Sequence, residues 1–225
     1  MTFSLILRDA QTGEFGSVIA SSSPAVAARC VNLADGVGGA HSQNVTDPRL
    51  GPALLAELRA GASAQQAVDA VVAAADPETI DYRQLLVLDA EGRPAVFSGG
   101  RALGIFGSAT RENAVAGGNM LAGLEVLDAL VDTALTATGR IEERLFAALQ
   151  AALDAGGEAG PIHSAGLAVV SDAGWRVTDL RVDWDDAPVA ALGRALTEWL
   201  PQREAYTHRG LNPAVAPSYG VPGDE

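Results

Sequence analysis

The first seven residues, Met1-Thr2-Phe3-Ser4-Leu5-Ile6-Leu7, determine how the rest of this chain is interpreted. Polar and apolar side chains alternate from Thr2 to Leu5 ahead of an apolar run, which predicts a β-strand that starts at the second residue. The backbone groups of a strand need hydrogen-bond partners on neighbouring strands. We therefore expect the start of the chain to be held within a sheet.

Thr2 has two interpretations. If Met1 is removed, Thr2 carries a hydroxyl and a free α-amine together, and such a residue can act as a nucleophile whose own amine takes the hydroxyl proton. Alternatively, Thr2 is only the second residue of an edge strand. The order of elements in the rest of the chain decides how much weight the first interpretation receives.

Length and composition predict one domain with a substantial apolar core, since the chain has 225 residues and 48% of them are hydrophobic. No apolar run approaches the length of a membrane span, and Leu5-Ile6-Leu7 is too short for a signal peptide. We therefore expect a cytoplasmic protein with no membrane partner. Cys30 is the only cysteine, which excludes an internal disulfide.

The charged residues exclude several kinds of chemistry. The net charge is −13, and all 15 basic residues are arginine. The absence of lysine excludes Schiff-base chemistry, a lysine general base and the lysine of a Walker-type phosphate loop. The acidic balance also argues against nucleic acid as a partner, because nucleic acid requires a basic face.

Turn and periodicity signals predict blocks of strands that alternate with pairs of helices. Asp9 to Glu14 supplies the turn of a hairpin, and the segment Ala25 to Leu33 fits either a strand or a short helix. Ser63 and Asn119 are predicted to be helix N-caps. The other predicted elements are strands at 15–21, 36–43, 82–89, 93–98, 164–171 and 175–182, a strand at either 103–106 or 113–116, and helices at 47–59, 64–75, 119–138, 141–155 and 187–200.

Hairpins between paired helices favour antiparallel sheets, and two such sheets stacked face to face would bury every apolar face. The predicted fold class is therefore α+β, a four-layer αββα sandwich with a helix pair outside each sheet. We expect this domain to cover residues 1–202. Residues 203–225 are rich in proline, glycine and polar groups and are predicted to form a C-terminal tail.

Short motifs across the first two hundred residues resemble a known family. The family is an uncharacterised one, domain of unknown function 1028, within the N-terminal-nucleophile (Ntn) hydrolase superfamily that includes the proteasome β subunits. Gly118 to Gly123 and Leu180 to Asp183 are its more specific pieces. The motifs are Thr2-Phe3-Ser4 with Arg8-Asp9, Ile19-Ala20-Ser21, Gln43 with Thr46-Asp47-Pro48-Arg49-Leu50-Gly51-Pro52, Tyr82-Arg83-Gln84-Leu85, Gly118-Asn119-Met120-Leu121-Ala122-Gly123, Ser164-Ala165 and Asp179-Leu180-Arg181-Val182-Asp183.

The resemblance implies the proteasome-like fold and a reaction in which an N-terminal Thr, Ser or Cys cleaves an amide bond. The family's own reaction and substrate are not established. The chain departs from the proteasome pattern because it has no lysine to tune the nucleophile. Ser21 or Ser22 stands near the position where that pattern has a helper carboxylate.

In such a hydrolase, Thr2 is the expected nucleophile, and His41 or Ser42 on the third strand is expected to shuttle a proton. The substrate and the oxyanion are expected to be bound by Ser21, Asn44, Gly118 and Asn119, with help from backbone N–H groups at the starts of helices. Two of these residues also have purely structural interpretations. Asn119 fits a plain N-cap, and His41 fits a hydrogen-bonded histidine at a strand end.

Metal and cofactor sites are not expected. Asp183, Asp185 and Asp186 have oxygen ligands for a divalent cation, but ahead of a helix they more simply cap it. The three histidines, His41, His163 and His208, lack the spacing of zinc ligands. The proposed reaction also requires no cofactor.

The function predicted from the sequence is an Ntn-type amidohydrolase that acts on a small amide or peptide-like substrate, as a homo-oligomer. The alternative is a relative of the same fold that has lost catalysis and serves as a ligand-binding or assembly module, which the missing lysine favours. A third hypothesis, a hydrolase that uses His41 with Ser22 or Ser42, ranks last because the chain has no nucleophile-elbow motif.

Overall fold

The computed structural model describes residues 1–221, which form two antiparallel sheets and seven helices. The alternation at the start of the chain forms the predicted strand, β1. The ten strands are β1 (Thr2–Arg8), β2 (Phe15–Ser21), β3 (Val31–Ala34), β4 (Gly38–Asn44), β5 (Arg83–Asp89), β6 (Pro94–Ser98), β7 (Gly107–Arg111), β8 (Ala114–Asn119), β9 (Ser164–Val170) and β10 (Arg176–Val182).

Local sequence signals account for several helix boundaries. The side chain of Ser63 accepts a hydrogen bond from the backbone N–H of Gln66, and the side-chain oxygen of Gln66 accepts one from the backbone N–H of Ser63, so α3 begins with a capping box. Two 3-10 turns, Ile80–Tyr82 and Pro213–Val215, supplement the helices. The helices are α1 (Val26–Cys30), α2 (Leu50–Arg59), α3 (Ala64–Ala74), α4 (Glu125–Thr136), α5 (Ile141–Asp154), α6 (Pro188–Trp199) and α7 (Arg203–Leu211).

Strand β1 lies inside the larger sheet. The order of strands in that sheet is β10-β9-β2-β1-β8-β7, and the smaller sheet has the order β3-β4-β5-β6. Phe3 pairs with Ala20 of β2, and Thr2 pairs with Asn119 of β8. The prediction that the chain's start is held within a sheet is therefore confirmed, and Thr2 does not belong to an edge strand.

The two faces of β1 have different surroundings. Phe3, Leu5 and Leu7 belong to a core cluster that the larger sheet shares with α4, α5 and α6. Ile6 belongs to another cluster, which includes Leu86 of the smaller sheet. Successive side chains of a strand point to opposite faces, so Thr2, Ser4 and Ile6 are directed towards the smaller sheet.

Each sheet has its own helical cover. Apolar residues of β4, β5 and β6 form a cluster with α2 and α3, which lie on that sheet only. One apolar cluster between the two sheets has six buried side chains. These are Ile6, Phe15, Val115 and Val170 of the larger sheet and Leu86 and Leu88 of the smaller one.

The structure corrects the prediction for the middle of the chain. Asn119 is the last residue of β8 and not a helix N-cap, because α4 begins only at Glu125. Residues 103–106 form a loop, and of the two predicted strand positions only 113–116 overlaps a strand. A Cβ at Gly117 would lie 2.6 Å from Cδ2 of Leu86. Glycine at this position therefore allows close packing of strand β8 against the other sheet.

Two further segments differ from expectation. The segment 25–33 contains both of its alternatives, since the short helix α1 leads directly into β3. The predicted tail begins with helix α7, whose Arg203 is 9% exposed and pairs with the buried Glu142, so this part is held by a buried ion pair. Residues 222–225 of that tail lie outside the described residues. The division of the chain at residue 202 stays a prediction.

Candidate active site

Thr2 lies at the end of a central strand with its hydroxyl in a polar environment. Its oxygen is 3.3 Å from Oγ of Ser21, the last residue of β2. Both hydroxyls contact the carbonyl oxygen of Met1. Ser21 Oγ also accepts a hydrogen bond from the backbone N–H of Ser23 at 3.0 Å. Two of the predicted site residues, Thr2 and Ser21, are thus brought together.

His41 and Ser42 are neighbours on β4, but they do not serve one site. The hydroxyl of Ser42 donates to the backbone carbonyl of Asp47 at 2.9 Å, on the face that carries α2. His41 is fully buried between Ser4 and Ser17 of the other sheet. Neither residue has a described contact with Thr2. The expectation that one of them shuttles a proton to Thr2 is therefore not supported by their positions.

Burial also determines the charge of His41. It lowers the pKa of His41 from 6.5 to about 3, and the positive charge of Arg176 acts in the same direction. The imidazole is therefore neutral near pH 7. A neutral imidazole has one donor and one acceptor nitrogen, which suits a position between two hydroxyls.

The hydrogen bonds around His41 form a directional chain between the sheets. The hydroxyl of Ser4 donates to Oε1 of Gln43 at 2.6 Å, so it accepts from Nδ1 of His41. Nε2 of His41 then accepts from the hydroxyl of Ser17. The amide of Gln43 donates to Gln84 at 2.8 Å, and that of Gln84 donates to the backbone carbonyl of Gly118 at 3.2 Å. This tautomer is assigned from the hydrogen bonds.

Asn119 stands directly beside Thr2, because the two residues are partners in the ladder between β1 and β8. Its side-chain nitrogen lies 3.4 Å from Oε1 of Gln84. Its side-chain oxygen is buried and has no hydrogen-bond partner within residues 1–221. A buried acceptor without a donor is costly. Asn119 is therefore the residue of the predicted set, besides Ser21, that remains available to a ligand at Thr2.

Gly118 and Asn44 have structural roles in place of the expected substrate or oxyanion binding. A Cβ at Gly118 would lie 2.7 Å from Cδ2 of Leu121 and 3.1 Å from the carbonyl oxygen of Thr2, so glycine allows this close approach. Asn44 ends β4 with a φ of 70°. Its side chain donates to the carbonyl of Tyr82 and accepts from the N–H of Leu103. Asn44 therefore holds neighbouring loops and has no described contact with Thr2.

Glu158 is a buried acid near the N-terminus that the sequence did not predict. Both of its carboxylate oxygens lie 3.2 Å from the backbone nitrogen of Ser22. Burial raises the pKa of Glu158 from 4.5 to about 7, although the positive N-terminus and the hydrogen bonds from Ser22 oppose the rise. The residue lies in a loop of small residues between α5 and β9, where no motif marks it.

A cavity lies at the other end of β1, away from Thr2. It has a volume of about 700 Å³ and is lined by residues that include Asp9, Glu14 and Arg203. Across residues 1–221, no group of three or more His, Cys, Asp or Glu side chains is arranged to hold a metal ion. No helix in the same range is long and apolar enough to cross a membrane.

Together, the residues around Thr2 form a polar cluster at the end of a central strand. The hydroxyl of Thr2 stands beside a second hydroxyl and an asparagine side chain, and a buried carboxylate attracts the α-amine of the chain. Such groups can hold an amide carbonyl and stabilise the charge that develops on its oxygen.

Comparison with solved structures identifies a relative of similar fold. The crystal structure of protein SPO2555 from Silicibacter pomeroyi, a protein assigned to the family model DUF1028, is 32% identical, with a TM-score of 0.80 and 88% of each chain covered. Anbu (ancestral beta-subunit) from Yersinia bercovieri is 11% identical, with a TM-score of 0.40, 91% of this chain and 97% of that chain covered.

Comparison with family models is decisive. A comparison with curated proteins gave no match. The model described as "Family of unknown function (DUF1028)" matches residues 2–192. The resemblance to this family seen in the sequence motifs is thereby confirmed, and the chain belongs to the family of unknown function DUF1028.

Proposed function

We propose that this protein is an Ntn-type amide hydrolase in which Thr2, after removal of Met1, attacks a small amide or peptide-like substrate. The main support for this proposal is that the hydroxyls of Thr2 and Ser21 both contact the Met1 carbonyl oxygen. This oxygen belongs to an amide that is already held beside the hydroxyl of Thr2. When Met1 is removed, both hydroxyls lose this acceptor and become available to the carbonyl of a substrate.

The reaction divides into two steps. Oγ1 of Thr2 bonds to the carbonyl carbon while its proton moves to the Thr2 α-amine, a group with an ordinary pKa of about 8. The C–N bond then breaks, the departing amine takes that proton, and an ester remains on Thr2. Water attacks the ester, which releases a carboxylic acid and restores the hydroxyl.

Two neighbours fit supporting roles. The hydroxyl of Ser21 and the amide of Asn119 lie on either side of Thr2, in the positions of β2 and β8 that flank it. The hydroxyl of Ser21 can donate a hydrogen bond to the oxyanion of the tetrahedral intermediate. The unpaired side-chain oxygen of Asn119 can accept one from the α-amine of Thr2. His41 acts at a distance in this proposal, because its chain of hydrogen bonds ends on the carbonyl of Gly118, next to Asn119.

We also infer that the two sheets are the inner layers of a four-layer αββα sandwich of the Ntn-hydrolase superfamily. The separate helical covers of the sheets and the shared cluster between the sheets support this arrangement. We further propose a cytoplasmic homo-oligomer, for which the exposed Leu103, Ile105 and Phe106 of one loop supply apolar surface. Light scattering that shows a monomer would contradict the oligomer.

The alternative function is a ligand-binding or assembly module without catalysis. Thr2 is only 5% exposed, and His41 has no described contact with it. The chain also lacks a lysine to activate the nucleophile. In this alternative, the polar residues around Thr2 bind a ligand or hold the sheets together.

The experiment compares four chains whose first residue is established by intact mass. Wild type that starts at Thr2 is expected to hydrolyse members of a broad amide panel, and Thr2→Ser is expected to retain activity. Thr2→Ala is expected to lose at least a thousandfold in kcat/KM. Ser42→Ala, on the opposite face of β4, is the matched control and should act like wild type. Activity that survives Thr2→Ala would reject the proposal, and an inactive chain that starts at Thr2 would favour the module.

A further inference from the structure

Met1 fills a site that recognises each part of an amino-acid residue. Its carbonyl oxygen contacts the hydroxyls of Thr2 and Ser21. Its α-ammonium group acts electrostatically on the buried Glu158. Its side chain packs on Gly160, where a Cβ would lie only 3.2 Å from Cε of Met1. The carbonyl and the side chain of Met1 therefore each have a contact, and the ammonium group attracts Glu158 without forming an ion pair with it.

The buried carboxylate that attracts the ammonium group is a built feature of the fold. Glu158 is 6% exposed, and within residues 1–221 no arginine or histidine side chain forms an ion pair with it. Its loop is fixed by backbone hydrogen bonds on both sides, from Ala122 to Gly157 and from Ala159 to Met120. A buried carboxylate without a cationic side chain needs a positive ligand to be stable when ionised.

On the basis of the proposed function, we infer that the substrate is an amide of an α-amino acid whose amino group is free. The position that Met1 vacates is then the acyl-binding site. The substrate ammonium lies at Glu158, its carbonyl at Thr2 and Ser21, and an apolar, unbranched side chain against Gly160.

The required displacement is small. The carbonyl carbon of Met1 is bonded to the nitrogen of Thr2, at about 1.3 Å. A substrate carbonyl carbon would lie about 3 Å from the reacting atoms, so the acyl group shifts outward by less than ~2 Å. A substrate with an acylated amino group would leave the carboxylate of Glu158 without its cation. This difference predicts strong selectivity for the free amine.

The test uses protein that starts at Thr2 and two probes, L-methionine p-nitroanilide and its N-acetyl derivative, at pH 8. We expect kcat/KM for the free amine to exceed that for the acetylated probe at least a hundredfold. Glu158→Gln should reduce this ratio at least tenfold, because the amide has similar shape but no charge. Glu78→Gln, at an exposed site, should preserve the ratio. Circular dichroism checks that both variants fold.

A binding measurement separates this inference from the proposed function. Thr2→Ala protein is titrated with L-methioninamide and followed by NMR, with and without Glu158→Gln. Binding that depends on Glu158 upholds the inferred site even if no chain shows turnover, in which case only the hydrolase proposal fails. Thr2-dependent turnover with no preference for the free amine overturns the inference and leaves the hydrolase standing. Absence of both binding and turnover also overturns the inference.

Discussion

Nε2 of His41 lies 2.7 Å from the hydroxyl oxygen of Ser17, and the two residues come from different sheets. Together with the bond from His41 to Ser4, this contact ties β4 to the two central strands of the larger sheet. The ring is fully buried, and burial is the main reason that its pKa falls to about 3. The fold therefore depends on a neutral imidazole.

Acid is expected to destabilise the protein through His41. As the pH falls below 6.5, the ring is protonated in the unfolded chain but not in the folded one, whose pKa is about 3. The contribution of the neutral ring to the free energy of unfolding is therefore complete above pH 6.5. It decreases as the pH falls, by about 3 kcal/mol at pH 4. Urea unfolding between pH 4 and 7 measures this decrease. His41→Gln should remove most of this pH dependence, whereas His208→Gln, at an exposed site, should retain it. Equal slopes of unfolding free energy against pH in all three proteins would refute the role of His41.

Gly118→Ala is expected to destabilise the protein by about 1–3 kcal/mol, because the added methyl group overpacks a buried position. It would lie 2.7 Å from a methyl group of Leu121, which is 1% exposed and has little room to move. Thermal unfolding compares it with Gly100→Ala, where a Cβ has no atom within 4 Å. If Gly118→Ala and Gly100→Ala had equal melting temperatures, the packing around Gly118 would accommodate the methyl group without loss of stability.

Arg203→Met tests how α7 is held on the domain. Nε of Arg203 lies 2.9 Å from Oε1 of the fully buried Glu142, an ion pair without an aligned hydrogen bond. Removal of the arginine leaves that carboxylate uncompensated, which costs about 3–5 kcal/mol. The double variant with Glu142→Gln should regain at least half of the loss in urea unfolding. Arg194→Met, at an exposed site on α6, is the control. If Arg203→Met lost no more stability than this control, α7 would contribute little to the stability of the domain.

Much of the fold could be predicted because its signals are local. The hairpin turn at 9–14 and the cap at Ser63 depend on a few adjacent residues. The long helices followed from their apolar period. Asn119 was placed wrongly because an asparagine ahead of an apolar helical period fits an N-cap. The contacts of Gly117 and Gly118 with Leu86 and Leu121, which accompany the strand, are long-range packing that the local sequence does not report.

Only those residues of the candidate site that lie in an alternating polar and apolar pattern could be predicted from the sequence. Thr2 and Ser4 are polar residues two apart in a strand whose intervening residue is apolar, and this period marks one face of the larger sheet. Strand β4 has no such period, because His41, Ser42 and Gln43 are consecutive polar residues. Which strands oppose one another depends on long-range pairing, so the contacts among these residues did not follow from the sequence. Glu158 gave no signal, because a single acid in a loop of small residues becomes unusual only when the fold buries it.

Glu158→Gln should stabilise the chain that retains Met1, and more so as the pH rises. The carboxyl has a pKa of about 7 in the folded protein and 4.5 as reference, so between these values the folded state keeps a proton that the unfolded state has lost. The free energy of unfolding of wild type therefore falls as the pH rises through this window, by about 3 kcal/mol in total. Glutamine does not titrate, so the difference between variant and wild type should be small at pH 4.5 and level off above pH 7. Urea unfolding at four pH values measures it, with the exposed Glu78→Gln as control. A difference that stays constant with pH, or that grows towards acid, would contradict the assignment and show that the carboxylate is already compensated in the folded chain.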